Sequence, residues 1–420
     1  MLIYFKVGNF KSIKEPVVIN FTASSISEHR DTNVSEVKRH SLLRTMLLYG
    51  HNASGKSKLL DALVMMRWII VNSAAGMQSG EPVPVEPFLL DEETATAPSF
   101  FEASFCVADQ TYRYGFEADK SKIVREWLFE TRANDEIPLF LRMGEKVQVE
   151  DPRRLENADS LEQRMRINAL FLSVASQWNV QKAEQILNWF RSIDTVSGID
   201  DEYYKRTTLE LMKNAKVAAE VMEFVRRADV GIDSLAVGLP NLKTRRLPEG
   251  FTPHDPGDLS LHELPNVFTS HQQFDAHGKP VRKVQFIMES QESEGTIKFF
   301  NLVGIFIRAI RENRLVIVDE FDARFHPLLS KAIIRLFNST KGGCTAQLLA
   351  ATHDTALLDR DLLRRDQICF VEKDKYGASR LTSLAEYKIR KEAPYEKNYL
   401  EGRFGAIPFI EEFESILKHG

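Results

Sequence analysis

Residues 50–57, Gly50-His51-Asn52-Ala53-Ser54-Gly55-Lys56-Ser57, constrain this chain more than any other stretch. They follow a short apolar run, Thr45-Met46-Leu47-Leu48-Tyr49, and precede a segment from Lys58 onward in which Leu59, Leu60, Leu63 and Met66 share one helical face. Strand, glycine-bearing turn and helix in that order fold backbone N–H groups round a phosphate: the glycines let the main chain curl, and the helix N-terminus adds its positive end. The spacing assigns Asn52, Ala53, Ser54, Gly55, Lys56, Ser57 and Lys58 to a phosphate cradle. Lys56 reaches the β- and γ-phosphates, and the Ser57 hydroxyl is a ligand for Mg2+. A chance glycine-rich turn is the plain alternative, and the flanking strand and helix argue against it.

Two further apolar strands end in residues of matching chemistry. Leu315-Val316-Ile317-Val318 runs into Asp319 and Glu320, and a parallel core strand presents its ligands at its carboxyl edge, where the phosphate loop also lies. Asp319 is placed to hold magnesium through its water shell, and Glu320 to act as general base on the water in line with the γ-phosphate. The plain alternative is that both carboxylates cap the following helix. His353 follows the strand that begins Gln347-Leu348-Leu349-Ala350. It is placed to reach the γ-phosphate; the alternative is an ordinary hydrogen-bonded loop residue.

The remaining pattern suggests three parts. Residues 1–157 hold two opening strands around Gly8 to Ser12, a polar loop over 24–40, the phosphate unit, and antiparallel strands over 99–132 whose aromatics alternate with turns near Asp109 and Asp119. Residues 158–280 read as a mainly helical insert over 160–227, followed by an irregular excursion over 244–280 rich in Pro and Gly. Residues 281–420 return to strand and helix units.

These pieces, in this order, resemble the ABC-type ATPases of the SMC, RecF and OLD group, and more closely the stand-alone RloA-like ATPases of prokaryotic antiphage, abortive-infection loci. Asn9-Phe10-Lys11-Ser12 looks like the group's opening motif and Ser293-Glu294-Gly295-Thr296 like its signature motif in short form. Phe321-Asp322 to His326-Pro327 resembles the D-loop and Thr352-His353-Asp354 the switch. The closing segment of the RloA-like branch matches Tyr399-Leu400-Glu401-Gly402-Arg403-Phe404-Gly405-Ala406-Ile407-Pro408. The resemblance spans roughly residues 1–135 and 284–410. It implies an α/β P-loop NTPase with a mixed ABC-ATPase-like sheet and flanking helices, an antiparallel β subdomain and an inserted helical lobe. It implies ATP and Mg2+ as cofactors, slow hydrolysis, and a homodimer or higher oligomer in which Ser293 and Gly295 of one copy meet the γ-phosphate held by the other. Two departures stand out: neither Gln78 nor Gln110 is assigned to the group's Q-loop, and the insert is too short for a long coiled-coil arm.

Charge and composition narrow the functions further. Lys plus Arg number 55 against 59 Asp plus Glu, a net charge of -4, so any nucleic-acid contact must be a local patch. Hydrophobic residues at 43% and charged ones at 27% exclude a disordered chain. The three scattered cysteines form no zinc or disulfide pattern, and the apolar runs at 63–71 and 299–310 fall short of the roughly 20 residues a membrane span needs, so the expectation is a cytoplasmic protein without membrane contact. His254, His262, His271 and His277, and the basic groups Lys243, Arg245, Arg246 and Lys388, Arg390, Lys391, read as solvated surface. Strand, switch and closing segment occupy most of the 100 residues after Glu320, so the expected partner is a separately encoded effector, a nuclease or toxin. An ATP-stabilised scaffold, or a DNA-associated ATPase of the RecF/SMC type, is the alternative. A P-loop kinase or GTPase has no use for the Ser293 motif and is disfavoured.

Overall fold

Alternating apolar residues lay down the largest sheet, and three continuous apolar runs lay down the second. The computed structural model describes residues 1–132, 135–158, 160–228, 231–240, 264–339, 344–388 and 393–407. The chain opens with the antiparallel pair β1 (Leu2–Gly8) and β2 (Val17–Asn20). A one-turn helix α1 (Arg30–Asn33) leads into the hairpin β3 (Val34–Val37) and β4 (His40–Leu43), so the expected polar loop over 24–40 in fact carries structure. Arg30 bridging Glu36 and Ser41 ties that hairpin through side chains, a contact without hydrophobic periodicity to announce it. Strand β5 (Thr45–Tyr49) and helix α2 (Lys56–Asn72) flank the phosphate loop. Helix α3 (Glu92–Thr96), capped by Asp91, precedes the meander β6 (Ser99–Val107), β7 (Gln110–Ala118), β8 (Ile123–Arg132), β9 (Asp135–Met143) and β10 (Lys146–Val149).

Helices α4 (Phe171–Gln177), α5 (Gln181–Arg191), α6 (Lys205–Met212) and α7 (Ala215–Arg227) fill most of the segment expected to be helical. The exception is β11 (Asp194–Ser197), which pairs in parallel with the strand of Asp319. The irregular reading of 244–280 is corrected over its described part, 264–280, while 244–263 lie outside the described residues: β13 (Pro265–Phe274) and β14 (Pro280–Ile287) join β12 (Ser234–Pro240) in a three-stranded antiparallel sheet. Prolines at strand starts misled the sequence reading there; Lys243, Arg245, Arg246, His254 and His262 lie outside the described residues. The chain ends its described part with α8 (Met288–Gln291), α9 (Glu294–Glu312), β15 (Leu315–Asp319), α10 (Pro327–Phe337), β16 (Gln347–Ala351), β17 (Ile368–Lys373), β18 (Ser379–Ser383) and α11 (Tyr395–Leu400).

Two sheets organise the molecule. The seven-stranded one runs β10-β9-β8-β7-β6-β1-β2, antiparallel throughout. The six-stranded one runs β11-β15-β16-β5-β17-β18, parallel except for its last strand. The expected class therefore holds: a mixed α/β fold with flanking helices and an antiparallel β subdomain. Strand period 2 sends alternate residues of the parallel sheet into two separate cores. Met46, Leu48, Ile317 and Leu349 join the α2 face (Leu59, Leu63, Met66) and the antiparallel sheet. Leu47, Tyr49, Val316, Val318 and Leu348 join α9, α10 and α7. Burial of side chains such as Leu63 or Phe300, each fully enclosed, stabilises by about 1.5–3 kcal/mol apiece.

Among the described residues no helix is long and apolar enough to cross a membrane. The aromatics of the closing segment act in packing: Tyr399 stacks on Phe370 at 5.4 Å, Phe404 stacks on the same ring at 5.3 Å, and Tyr49 meets Tyr399 edge-on. Pro408 lies outside the described residues.

Candidate functional site

Strands β5, β16 and β15 lie side by side and parallel, so their C-terminal ends deliver the phosphate loop, His353 and the Asp319–Glu320 pair to one edge of the sheet. The loop itself is shaped by close packing. A Cβ on Gly50 would come within 2.6 Å of the Ser54 Oγ, and Gly55 sits at φ 111°, with its α-carbon against Ser379 and Ser12. Ala53 also adopts a left-handed φ of 63°. Among the described residues, none accepts a hydrogen bond from the backbone N–H groups of Gly55, Lys56, Ser57 or Lys58. The Ser54 Oγ is buried without a partner. Four free amides at a helix start and an orphaned hydroxyl form a donor set for a multiply charged anion.

Lys56 is buried, and its ammonium donates to the carbonyls of Gly50 at 2.8 Å and His51 at 3.3 Å. Burial pushes it below the ordinary lysine range, and Glu320, Asp319 and Asp322 pull it back up. His353 is open to solvent on one side, yet it too titrates below the usual histidine range. Partial desolvation comes first and the charge of Lys56 second, against the same three carboxylates. Lys56 and His353 thus both lie within the field of Asp319, Glu320 and Asp322, as groups gathered at one sheet edge do. Asn52 and Ala53 are exposed at the loop tip and Ser57 is half-buried. The Lys58 side chain turns instead to Asp61 at 3.5 Å, so only its backbone faces the cradle.

The acidic loop is held in an uncommon conformation. Glu320 has φ 50°, in the left-handed region, which costs a non-glycine residue about 1–3 kcal/mol. Surrounding contacts fix it. The Glu320 N–H donates to Asp319 Oδ1 at 3.1 Å, and the Phe321 N–H to the Ala351 carbonyl at 2.9 Å. The Gly198 N–H donates to the Asp319 carbonyl at 2.8 Å, and a Cβ on Gly198 would overlap the Glu320 carbonyl. Asp322 Oδ1 accepts from the Thr352 hydroxyl at 2.6 Å and the His353 N–H at 3.0 Å, joining the acidic loop to the histidine loop.

Ser293 is exposed at the tip of α9, where its Oγ caps the helix by accepting from the Thr296 N–H at 3.2 Å. Gly295 packs against the Arg324 carbonyl, at 2.7 Å from where a Cβ would stand. These two residues therefore sit beside the acidic loop, at a surface open to another molecule. The expected alternative for Asp319 and Glu320, helix capping, is not what they do: His326 caps α10 by accepting from the Leu328 N–H.

The opening motif divides its work. Asn9 donates to the carbonyls of Thr94, Ala97 and Pro98, and Lys11 pairs with Asp61 on α2 at 3.0 Å. The Ser12 Oγ hydrogen-bonds the Ser379 Oγ, which donates to the Ser54 carbonyl at 2.9 Å, so both hydroxyls support the phosphate loop. Sequence reasoning missed Ser379, Gly198 and Lys298, which carry no local pattern. Gln78 lies in the turn after α2 and Gln110 at the start of β7. Among the described residues no cluster of His, Cys, Asp and Glu suits a metal ion; His271 instead contacts Glu292 at 2.6 Å.

A parallel sheet whose strand ends gather a helix-seated amide loop, a lysine, paired carboxylates and a histidine defines a P-loop nucleotide-binding protein. The chain belongs to the family described as "AAA domain, putative AbiEii toxin, Type IV TA system", which it matches over residues 46–359. No curated protein matches the chain. Solved structures similar to it include the SMC head domain from Thermotoga maritima, at 13% identity and a TM-score of 0.41, covering 91% of this chain and 98% of that one. A second is an SmcHead bound to the C-winged helix domain of ScpA, at 15% identity and a TM-score of 0.45, covering 91% and 97%.

Proposed function

We propose that this protein is an ATP-hydrolysing switch that closes as a two-fold dimer over two shared nucleotides and regulates a separately encoded effector, a nuclease or toxin, in antiphage defence. The observation that carries the enzymatic part is the electrostatic cluster of Lys56, Asp319, Glu320, Asp322 and His353 at one sheet edge. The antiphage part rests on the sequence resemblance; the family description supports only a link to a toxin–antitoxin system.

In this reading the amides from Gly55 to Lys58 bind the β-phosphate and Lys56 spans to the γ-phosphate. Ser57 and Asp319 would hold Mg2+, whose charge offsets that of the phosphates. Glu320 accepts the proton of the attacking water, and His353 hydrogen-bonds the γ-phosphate from the adjacent strand. Ser293 and Gly295 of a second copy complete the site from outside, using the exposed end of α9.

Replacing the base while keeping its shape tests the assignment. Glu320→Gln should retain ATP affinity and lose roughly 10²-fold or more in kcat, whereas Lys56→Ala should lose ATP binding itself. Unchanged turnover in the Glu320→Gln protein would remove Glu320 from the role.

A further inference from the structure

One buried charge plays no part in the scheme above. Lys298 lies one turn into α9, five residues after Ser293, and is fully enclosed. Its ammonium donates to the carbonyl oxygens of Phe321 at 3.1 Å and Ala323 at 2.5 Å and sits 4.1 Å above the Phe325 ring. None of these partners carries a formal charge. Burial drives its pKa down to about 8, with the Arg324 guanidinium adding to the fall and Asp201, Asp322 and Glu320 opposing it. A lysine held in such a place, without a carboxylate in contact, is costly unless its donors are needed.

The two carbonyls it grips bracket Asp322, and the first belongs to the residue after Glu320. They belong to the turn that must hold Glu320 at a left-handed φ. The same turn touches α9 a second time, where Gly295 meets the Arg324 carbonyl, and Arg324 reaches across to Asp201 and the Ile199 carbonyl. The helix tip bearing Ser293 and the loop bearing Glu320 are thus joined through one ammonium and one glycine contact.

We propose that Lys298 is a positioning residue for hydrolysis: it locks the Glu320 loop to the Ser293 helix, so that a nucleotide engaged by the helix tip and the water-activating carboxylate are aligned by one rigid unit. This inference rests on the ATPase reading above and deepens it. Lys298 is enclosed, with its ammonium engaged by the Phe321 and Ala323 carbonyls, and it acts through them.

The test uses the full-length protein. Lys298→Met keeps the length of the side chain and removes its donors. Its kcat for ATP should fall about 10- to 100-fold, the range expected when a catalytic group is displaced by an ångström, while KM stays within about twofold, because Lys298 makes no ground-state contact with nucleotide. Amide exchange should quicken at residues 321–325 and not in α2. Lys298→Gln, with two donors on a shorter reach, should lie between the wild type and Met, and it serves as the test if the Met protein does not fold. A kcat within twofold of wild type in the folded variant overturns the inference while leaving the ATPase reading intact. A parallel loss of ATP affinity and kcat overturns it in favour of a purely structural lysine. A wild-type protein without ATPase activity sinks the parent reading, and the inference with it.

Discussion

At the scale of single residues, the acidic loop shows stability given up for geometry. Glu320 stands where glycine would be comfortable, and its carbonyl occupies the space that a side chain at Gly198 would need. Glu320→Gly should therefore unfold at a denaturant midpoint no lower than wild type, since relief of about 1–2 kcal/mol of left-handed strain offsets the added freedom of the unfolded chain, and it should lose nearly all turnover. A large drop in the midpoint would show that the carboxylate, not the backbone shape, holds the loop. The identities of Asp319 and Glu320 were legible from an apolar strand running into carboxylates. Their conformation was not, because the groups that impose it, Gly198, Lys298 and Ala351, come from other parts of the chain. Ser379 was invisible for the same reason: 325 residues separate it from the Ser54 carbonyl it supports.

Among elements, β5, β15 and β16 were readable because strands covered on both faces are almost wholly apolar. Strand β11 was not. It is four residues long, begins with a carboxylate and has two buried positions, Asp194 and Val196, so nothing in Asp-Thr-Val-Ser separates it from the helices around it. Its anchor is ionic: Asp194 Oδ1 meets Arg308 of α9 at 2.6 Å and Arg314 at 3.6 Å. Burial raises the Asp194 carboxyl above its ordinary range, and the two guanidinium groups pull against that rise. Arg308→Met should destabilise the protein by about 2–4 kcal/mol at neutral pH by leaving a buried carboxylate underpaired. A raised native pKa means the folded state holds the proton more tightly, so its stabilising effect is present at low pH and lost as pH rises. The variant's deficit should therefore be smallest near about pH 4 and grow toward pH 7 in chemical denaturation. A deficit independent of pH would point to lost packing of the arginine stem.

For the whole molecule, the exposed Ser293 tip near the acidic loop is the surface on which the proposed dimer can be tested. Glu320→Gln with ATP and Mg2+ should elute and sediment at twice the monomer mass, and as a monomer without nucleotide. Adding Ser293→Trp should restore the monomer without altering ATP affinity. A doubled mass that persists in the Trp variant would place the contact elsewhere on the surface. The order of motifs suggests a dimer, but which surface stays open could only come from the folded chain.

The parallel sheet divides the interior so that neighbouring positions along one strand answer to different surroundings: Leu48 looks toward the helix that seats the phosphate, Leu47 toward the helix that carries Ser293 and Lys298. Grip and timing thus have separate upholstery. In the proposed switch, substitutions behind one wall would retune how firmly a triphosphate is held, and those behind the other how soon it is cut, so a lineage could adjust the lifetime of a closed state without first surrendering its ability to close.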